Sequence, residues 1–152
     1  SMVGDLKNGR TIHSLTVLLS LFKNVKFIFI SPKALAIPTY IKKVLDSKKV
    51  SYQEISNLKQ ALSISDVIYQ TRVQKERFKS PKEYNKFKNL LIIDKNSLTL
   101  MKKGAIIMHP LPRINEITPE VDNDPRAIYF KQVQNGLFIR MALLIYLFDK
   151  EN

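Results

Sequence analysis

The chain has 152 residues, enough for one domain with a sizeable core, and no cysteine, which excludes disulfides, Cys-ligated zinc and thiol nucleophiles. His13 and His109 are its 2 histidines, too few for a histidine-rich metal site. The 25 Lys and Arg against 13 Asp and Glu leave a formal charge of +12, which admits nucleic acid, a membrane surface or an anionic metabolite as partner, but the lysines are scattered along the chain.

Taken in order, Ser1-Met2 reads as a cloning remnant and Val3-Gly4-Asp5 as the end of a strand whose start is missing, so the domain is read as residues 3–152. Ile12, Leu15, Leu18, Leu19 and Phe22 recur at three- and four-residue steps and predict a helix over Arg10 to Phe22, with Asn8 or Thr11 as cap and Gly9 allowing the tight entry. Lys26 to Ile30 is aromatic and β-branched and stops at Ser31-Pro32, a buried strand and its turn. Pro38 suits the first turn of a helix reaching about Leu45. A strand at Ser51 to Ile55, a helix at Leu58 to Leu62 and a strand at Asp66 to Thr71 follow.

Ser80-Pro81 with Glu83 carries the marks of a helix start. Leu90 to Ile93 is a further apolar run, Ser97 to Lys102 a helix ended by Gly104, and Ala105 to Met108 a strand. Four prolines make the span up to Tyr129 irregular, and Gln132 to Phe148 closes the chain as a long helix. Its apolar stretch from Leu137 is broken by Arg140 and too short to span a bilayer, so a soluble intracellular protein is expected. Strands alternate with helices throughout, which predicts an α/β fold, a parallel sheet covered by helices on both faces.

Three strand ends carry unusual residues. After the first strand, Gly4 to Thr11 sets two glycines around Lys7 and opens a helix with Arg10, a place where backbone N–H groups and the helix dipole favour an anion; neither a Walker loop nor G-x-G-x-x-G is present, and taken alone the loop reads first as a plain turn. Thr71 to Arg77, Thr-Arg-Val-Gln-Lys-Glu-Arg, crowds charge at a strand exit. Arg72 and Gln74 there share a side of an extended segment, and an arginine fork grips a carboxylate as lysine cannot, while Lys75, Glu76 and Arg77 read equally as a surface ion-pair cluster. At His109-Pro110-Leu111-Pro112-Arg113 two prolines stiffen the backbone, and His109 is open to two readings, a general base or a structural hydrogen-bonder.

Together these motifs, with Asn135-Gly136-Leu137-Phe138-Ile139-Arg140, resemble the aspartate-binding domain of the aspartate carbamoyltransferases over essentially the whole chain; the sister enzymes acting on ornithine share the fold but carry other loop motifs. The resemblance implies a Rossmann-like domain that binds L-aspartate, whose amino group attacks carbamoyl phosphate to give N-carbamoyl-L-aspartate and phosphate in pyrimidine biosynthesis. It assigns the aspartate carboxylates to Arg10 and Arg72, with Gln74 orienting the loop and substrate. The carbamoyl amino group falls to the backbone of Leu111 and Pro112, across a cis peptide. Lys7 and Glu83, with Tyr84 beside them, become partners in a closing contact of a mobile loop, although Glu83 equally suits a helix N-terminus.

No catalytic residue is assigned within this domain, nor any cofactor or metal, because such transfer rests on positioning and charge stabilisation. The family's Ser-Thr-Arg-Thr-Arg motif, its carbamoyl-phosphate domain and the loop lent by a neighbouring subunit of the trimer have no counterpart in these 152 residues, and its last helix normally packs on that domain. The expectation is therefore a cytoplasmic half-enzyme, inactive alone, with carbamoyl phosphate, the missing domain and neighbouring subunits as partners and with neither nucleic acid nor membrane. The alternatives are a basic nucleic-acid-binding domain, a transcarbamoylase for another amino acid, or an interaction module using the last helix.

Overall fold

Alternation along the strands decides the architecture. In the computed structural model, which describes residues 1–149, strand β2 (Lys26–Ile30) turns Phe27 and Phe29 to one face and Ile28 and Ile30 to the other, so the strand is buried on both sides as parallel strands are. It belongs to a five-stranded parallel sheet with β1 (Met2–Val3), β3 (Ser51–Ile55), β4 (Val67–Gln70) and β5 (Ile106–Met108), in the order β3-β2-β1-β4-β5. Helices α1 (Arg10–Leu19) and α2 (Thr39–Ser47) cover one face around Leu6, Ile12, Phe29, Ile41 and Leu45. Helices α3 (Leu58–Ile64) and α5 (Lys95–Leu100) close the other around Ile30, Leu62, Ile68, Ile107 and Tyr129. Each such side chain contributes about 1.5–3 kcal/mol relative to exposure. This is the three-layer α/β fold the alternation of elements predicts.

The chain winds outward from β1 to β2 to β3, then returns to place β4 on the opposite flank of β1. Between β1 and β4 the winding reverses, and ligands of such sheets bind outside the strand ends at that crevice. Gly4 holds the two exits together. Its φ is +112°, and a Cβ there would lie 2.2 Å from the carbonyl oxygen of Thr71, so only glycine allows this approach.

Several boundaries differ from the sequence reading. Met2, taken to precede the domain, is a buried residue of β1, paired with Phe29 and Tyr69. Helix α1 stops at Leu19, where Leu21 and Phe22 are exposed, and it has no side-chain cap: Gly9 is its N-cap, while Asn8 turns back onto Asp5. Helix α5 starts at Lys95 with Asp94 as cap and Ser97 completing a capping box, and it ends at Leu100 because Met101 is extended and buried, leaving Gly104 in the next turn. The run Leu90 to Ile93 stays outside the sheet, making one parallel bridge from Ile93 to Ile117. Ser80 does cap the short α4 (Pro81–Asn85) through the Glu83 N–H at 3.3 Å.

The last helix, α6 (Tyr129–Phe148), begins three residues before the expected Gln132 because Tyr129 anchors it in the core. From Leu137 to Phe148 it is exposed and, Arg140 apart, apolar all round, with Ile139 at 70% and Phe148 at 65%. An all-round apolar helix is ordinarily enclosed by other protein, and a patch of this kind marks an interaction surface. Among the described residues no helix is long and apolar enough to cross a membrane.

Candidate active site

The exits of β1, β4 and β5 converge at the reversal of winding and enclose a cleft of about 260 Å³. Asn8, Gly9, Arg10 and Thr11 line it from the first exit, Thr71, Arg72, Gln74 and Arg77 from the second, and His109, Pro110, Leu111 and Pro112 from the third. A larger open cleft of about 880 Å³ between α3 and α5 lies away from all three loops, and its walls bring no guanidinium together with backbone acceptors. Chemistry rather than volume selects the smaller one.

In the first loop Asp5 is fully buried, and its carboxylate accepts from the Asn8 N–H at 3.0 Å and from the Asn8 side-chain amide at 3.1 and 3.0 Å. This ring tightens the path into Gly9, whose own Cβ would stand 2.7 Å from the Asp5 carbonyl, and it sets Arg10 at the exposed start of α1. The second loop is tied to β1 by the Thr71 N–H and hydroxyl, both donating to the Val3 carbonyl at 2.9 and 3.1 Å. The Gln74 amide donates to the Asn8 carbonyl at 3.2 Å, joining the second loop to the first. Arg72 forks onto both oxygens of Glu76, one contact being 3.2 Å. That hydrogen bond, helped by the charges of Glu76 and Glu116, raises the Arg72 guanidinium above its ordinary range and lowers the Glu76 carboxyl. Of the cluster left open by the sequence, Glu76 is the ion-pairing member.

In the third loop the Leu111–Pro112 peptide is cis, as the resemblance implies, and Leu111 has a left-handed φ of 43°. Arg113 holds the far end of this turn, pairing with Asp122 through two nitrogens while its Nη1 also donates to the Tyr129 hydroxyl at 3.0 Å. Burial, then the adjacent Asp122, pushes the Tyr129 phenol up to about 12. At the near end the His109 backbone N–H donates to the side-chain oxygen of Gln132 at 3.0 Å. The ring is 1% exposed with both nitrogens engaged inside the fold, Nε2 with Glu116 and Nδ1 with the Leu111 N–H, each at 2.8 Å. It is a structural hydrogen-bonder, with no nitrogen free to take a proton from a ligand.

Arg10, Arg72, Gln74, Leu111 and Pro112 are thus gathered on one cleft. The closing contact does not form in this conformation: Lys7 is exposed and makes no ion pair with Glu83, whose carboxylate instead accepts from the Lys79 N–H at 3.3 Å. Tyr84 packs edge-on to Phe78, ring centres 5.8 Å apart. Thr11, Thr71 and Arg77 also line the cleft, and Glu116, Asp122 and Gln132 brace it, none of them assigned to the site from the sequence. Thr11, Thr71 and Arg77 lie inside the strand-exit motifs; Glu116, Asp122 and Gln132 stand 7, 9 and 23 residues from the groups they hold, outside those motifs, and gave no local signal. Among the described residues no group of three His, Asp or Glu is placed to hold a metal ion. Arginines from two loops share this cleft with a proline-stiffened turn from a third, an arrangement that can hold an anion.

Residues 1–147 match the family model described as the Asp/Orn binding domain of aspartate/ornithine carbamoyltransferase. The multifunctional protein pyr1-3 of Dictyostelium discoideum is 51% identical over 148 residues, 97% of this chain and 7% of that protein. The aspartate carbamoyltransferase catalytic subunit of Clostridium kluyveri is 49% identical over 144 residues, 95% of this chain and 47% of its own length. The catalytic subunit of M. jannaschii aspartate transcarbamoylase superposes with a TM-score of 0.90 at 46% identity, covering 98% of this chain and 49% of that one. The chain therefore spans about half the length of these catalytic subunits. With its three loops, its cis turn and its sheet order, the chain belongs to the aspartate/ornithine carbamoyltransferase family, as its amino-acid-binding domain.

Proposed function

We propose that this chain is the aspartate-binding half of an aspartate carbamoyltransferase. The observation that carries the reading is the convergence of Arg10, Arg72 and Gln74 with the Leu111–Pro112 turn on one cleft at the reversal of winding. Two guanidinium groups suit the two carboxylates of L-aspartate, and Gln74, already braced on Asn8, orients its loop. The carbonyls of the Leu111–Pro112 turn accept from the carbamoyl amino group. Arg72 exchanges part of its contact with Glu76 for the substrate carboxylate, so Glu76 holds the fork in place until aspartate arrives. The Trypanosoma cruzi aspartate transcarbamoylase, 39% identical with a TM-score of 0.81, has been solved with carbamoyl aspartate and phosphate, which supports aspartate over ornithine as the substrate class.

The domain holds the amino acid and orients its amino group, and catalysis here is positioning plus charge stabilisation. Residues outside these 152 supply the groups that bind the phosphate and polarise the carbamoyl carbonyl. The apolar face of α6 beyond Leu137 packs on that carbamoyl-phosphate domain, the enzyme works in the cytoplasm as a trimer, and Lys7 meets Glu83 only when the two domains close. The purified chain is expected to form no carbamoyl aspartate from aspartate and carbamoyl phosphate, and addition of the carbamoyl-phosphate domain is expected to restore turnover. Robust turnover by the chain alone, or none after reconstitution, sinks the reading. A salt titration against random DNA and RNA should give no steep slope, as the scattered lysines do not form a phosphate track.

A further inference from the structure

We propose that His109 is a positioning residue for carbamoyl transfer, a ring held in one tautomer between Glu116 and the Leu111 amide so that the Leu111 carbonyl is aimed into the cleft. The proposal rests on the aspartate carbamoyltransferase reading for its substrate and on hydrogen-bond geometry for the rest. The Leu111 N–H donates to His109 Nδ1 at 2.8 Å, so that nitrogen carries a lone pair and no proton. The ring proton therefore sits on Nε2, which points at a Glu116 oxygen 2.8 Å away. Glu116, itself 5% exposed, also accepts from the N–H of Ile114 at 3.2 Å and of Asn115 at 3.2 Å. A protonated carboxyl could not accept all of these at full strength, so the couple is a neutral ring donating to a carboxylate.

This couple acts on a backbone that needs holding. Leu111 has φ 43°, a left-handed conformation that a non-glycine residue keeps only when its surroundings over-determine it. Its own N–H is fixed on His109, and the next residue but one, Arg113, is fixed on Asp122 and Tyr129. Between these two anchors the Leu111 backbone has little freedom to turn, and Leu111 lines the cleft. Misplacing an acceptor of the reacting carbamoyl group by a fraction of an ångström is felt in the rate and little in aspartate binding, which belongs to the arginines.

The first test uses the chain alone. Long-range proton–nitrogen correlation spectra of its two imidazoles, assigned with His13→Asn, should show His109 protonated at Nε2 and unprotonated at Nδ1; a doubly protonated ring or the opposite tautomer overturns the proposal. The second uses the chain joined with its carbamoyl-phosphate half. His109→Ala should lower kcat roughly tenfold to a hundredfold with the aspartate KM moving less than about threefold. His109→Asn, whose side-chain oxygen can take the Leu111 N–H, should recover a large part of that loss. An unchanged kcat in His109→Ala, or equal loss in both variants, overturns the positioning role even if the tautomer is as stated. Absence of turnover in the unmodified assembly removes the functional reading and the positioning role with it, and the substrate-free spectra then still decide whether the clamp exists.

Discussion

The turn after β5 and the stretch after β4 face each other across the same cleft and are built in opposite ways. From His109 to Arg113 each end is anchored to partly or fully buried side chains, Glu116 and Gln132 on one side and Asp122 and Tyr129 on the other. From Arg72 to Phe87 no side chain is fully buried, and the ion pair between Arg72 and Glu76 lies at the surface. On the proposed function, the first region offers backbone acceptors that must not move, and the second side chains that must reach a ligand and release it. Rigidity then falls where the reacting group would sit and freedom where the amino acid would enter.

Glu116→Ala should break the contrast most, because it strands the His109 ring N–H and two backbone donors in a buried site. A loss of about 3–5 kcal/mol in urea unfolding is expected, and a loss below about 1 kcal/mol would mean that solvent already reaches the turn. Gly4→Ala attacks the joint shared by both regions. With a Cβ 2.2 Å from the Thr71 oxygen at φ +112°, the two exits must part, at a cost on the order of 3 kcal/mol together with loss of aspartate binding. Unchanged thermal unfolding would show that the exits tolerate separation. Arg72→Lys removes the fork but keeps the charge. The reconstituted enzyme should bind aspartate roughly ten- to a hundredfold more weakly by calorimetry, near 1.4–2.7 kcal/mol, with stability unaltered.

Acid sharpens the same comparison. Burial alone would raise the Glu116 carboxyl, but the bond from His109 and those from the backbone outweigh it and leave it below its ordinary range. A folded value below the unfolded one means that the native state binds fewer protons. The stabilisation is then complete above about pH 4.5 and is lost as pH falls from there through the depressed folded value. Urea midpoints between pH 6 and pH 3 should fall less steeply in Glu116→Gln than in the unmodified chain, and equal slopes would place the acid sensitivity elsewhere. Smallest of all should be Glu76→Ala, whose exposed pair with Arg72 contributes less than about 1 kcal/mol; a larger change would make the second region as braced as the first.

Much of the fold was legible because it rests on local periodicity. Phe27 to Ile30 could only be a two-faced strand, Ile12 to Leu19 only an amphipathic helix, and the β/α alternation only a parallel sheet. Of the cleft, Arg10, Arg72, Gln74 and the Leu111–Pro112 turn were legible through motifs at three strand exits. What misled was side-chain economy: Asn8 looked like a helix cap, but the buried carboxylate of Asp5 offered its amide a better partner. Likewise Lys7 and Glu83 read as a pair across loops that stand unpaired in this conformation.

The sequence by itself determined that the chain is α/β, that it carries the aspartate carbamoyltransferase motifs, and which strand exits bear the chemistry, because periodicity and short motifs are properties of neighbours in the chain. Only the tertiary structure decided that β4 lies beside β1, that Gly4 must let Thr71 pass at its Cα, and that His109 is spent on Glu116 and Leu111. The first two depend on the reversal of winding, decided between residues as much as 68 apart, and the third on a turn that folds back over 7 residues to bring Glu116 onto the ring. The exposure of α6 beyond Leu137 was, by contrast, already implied by the resemblance, since the family's last helix packs on the carbamoyl-phosphate domain.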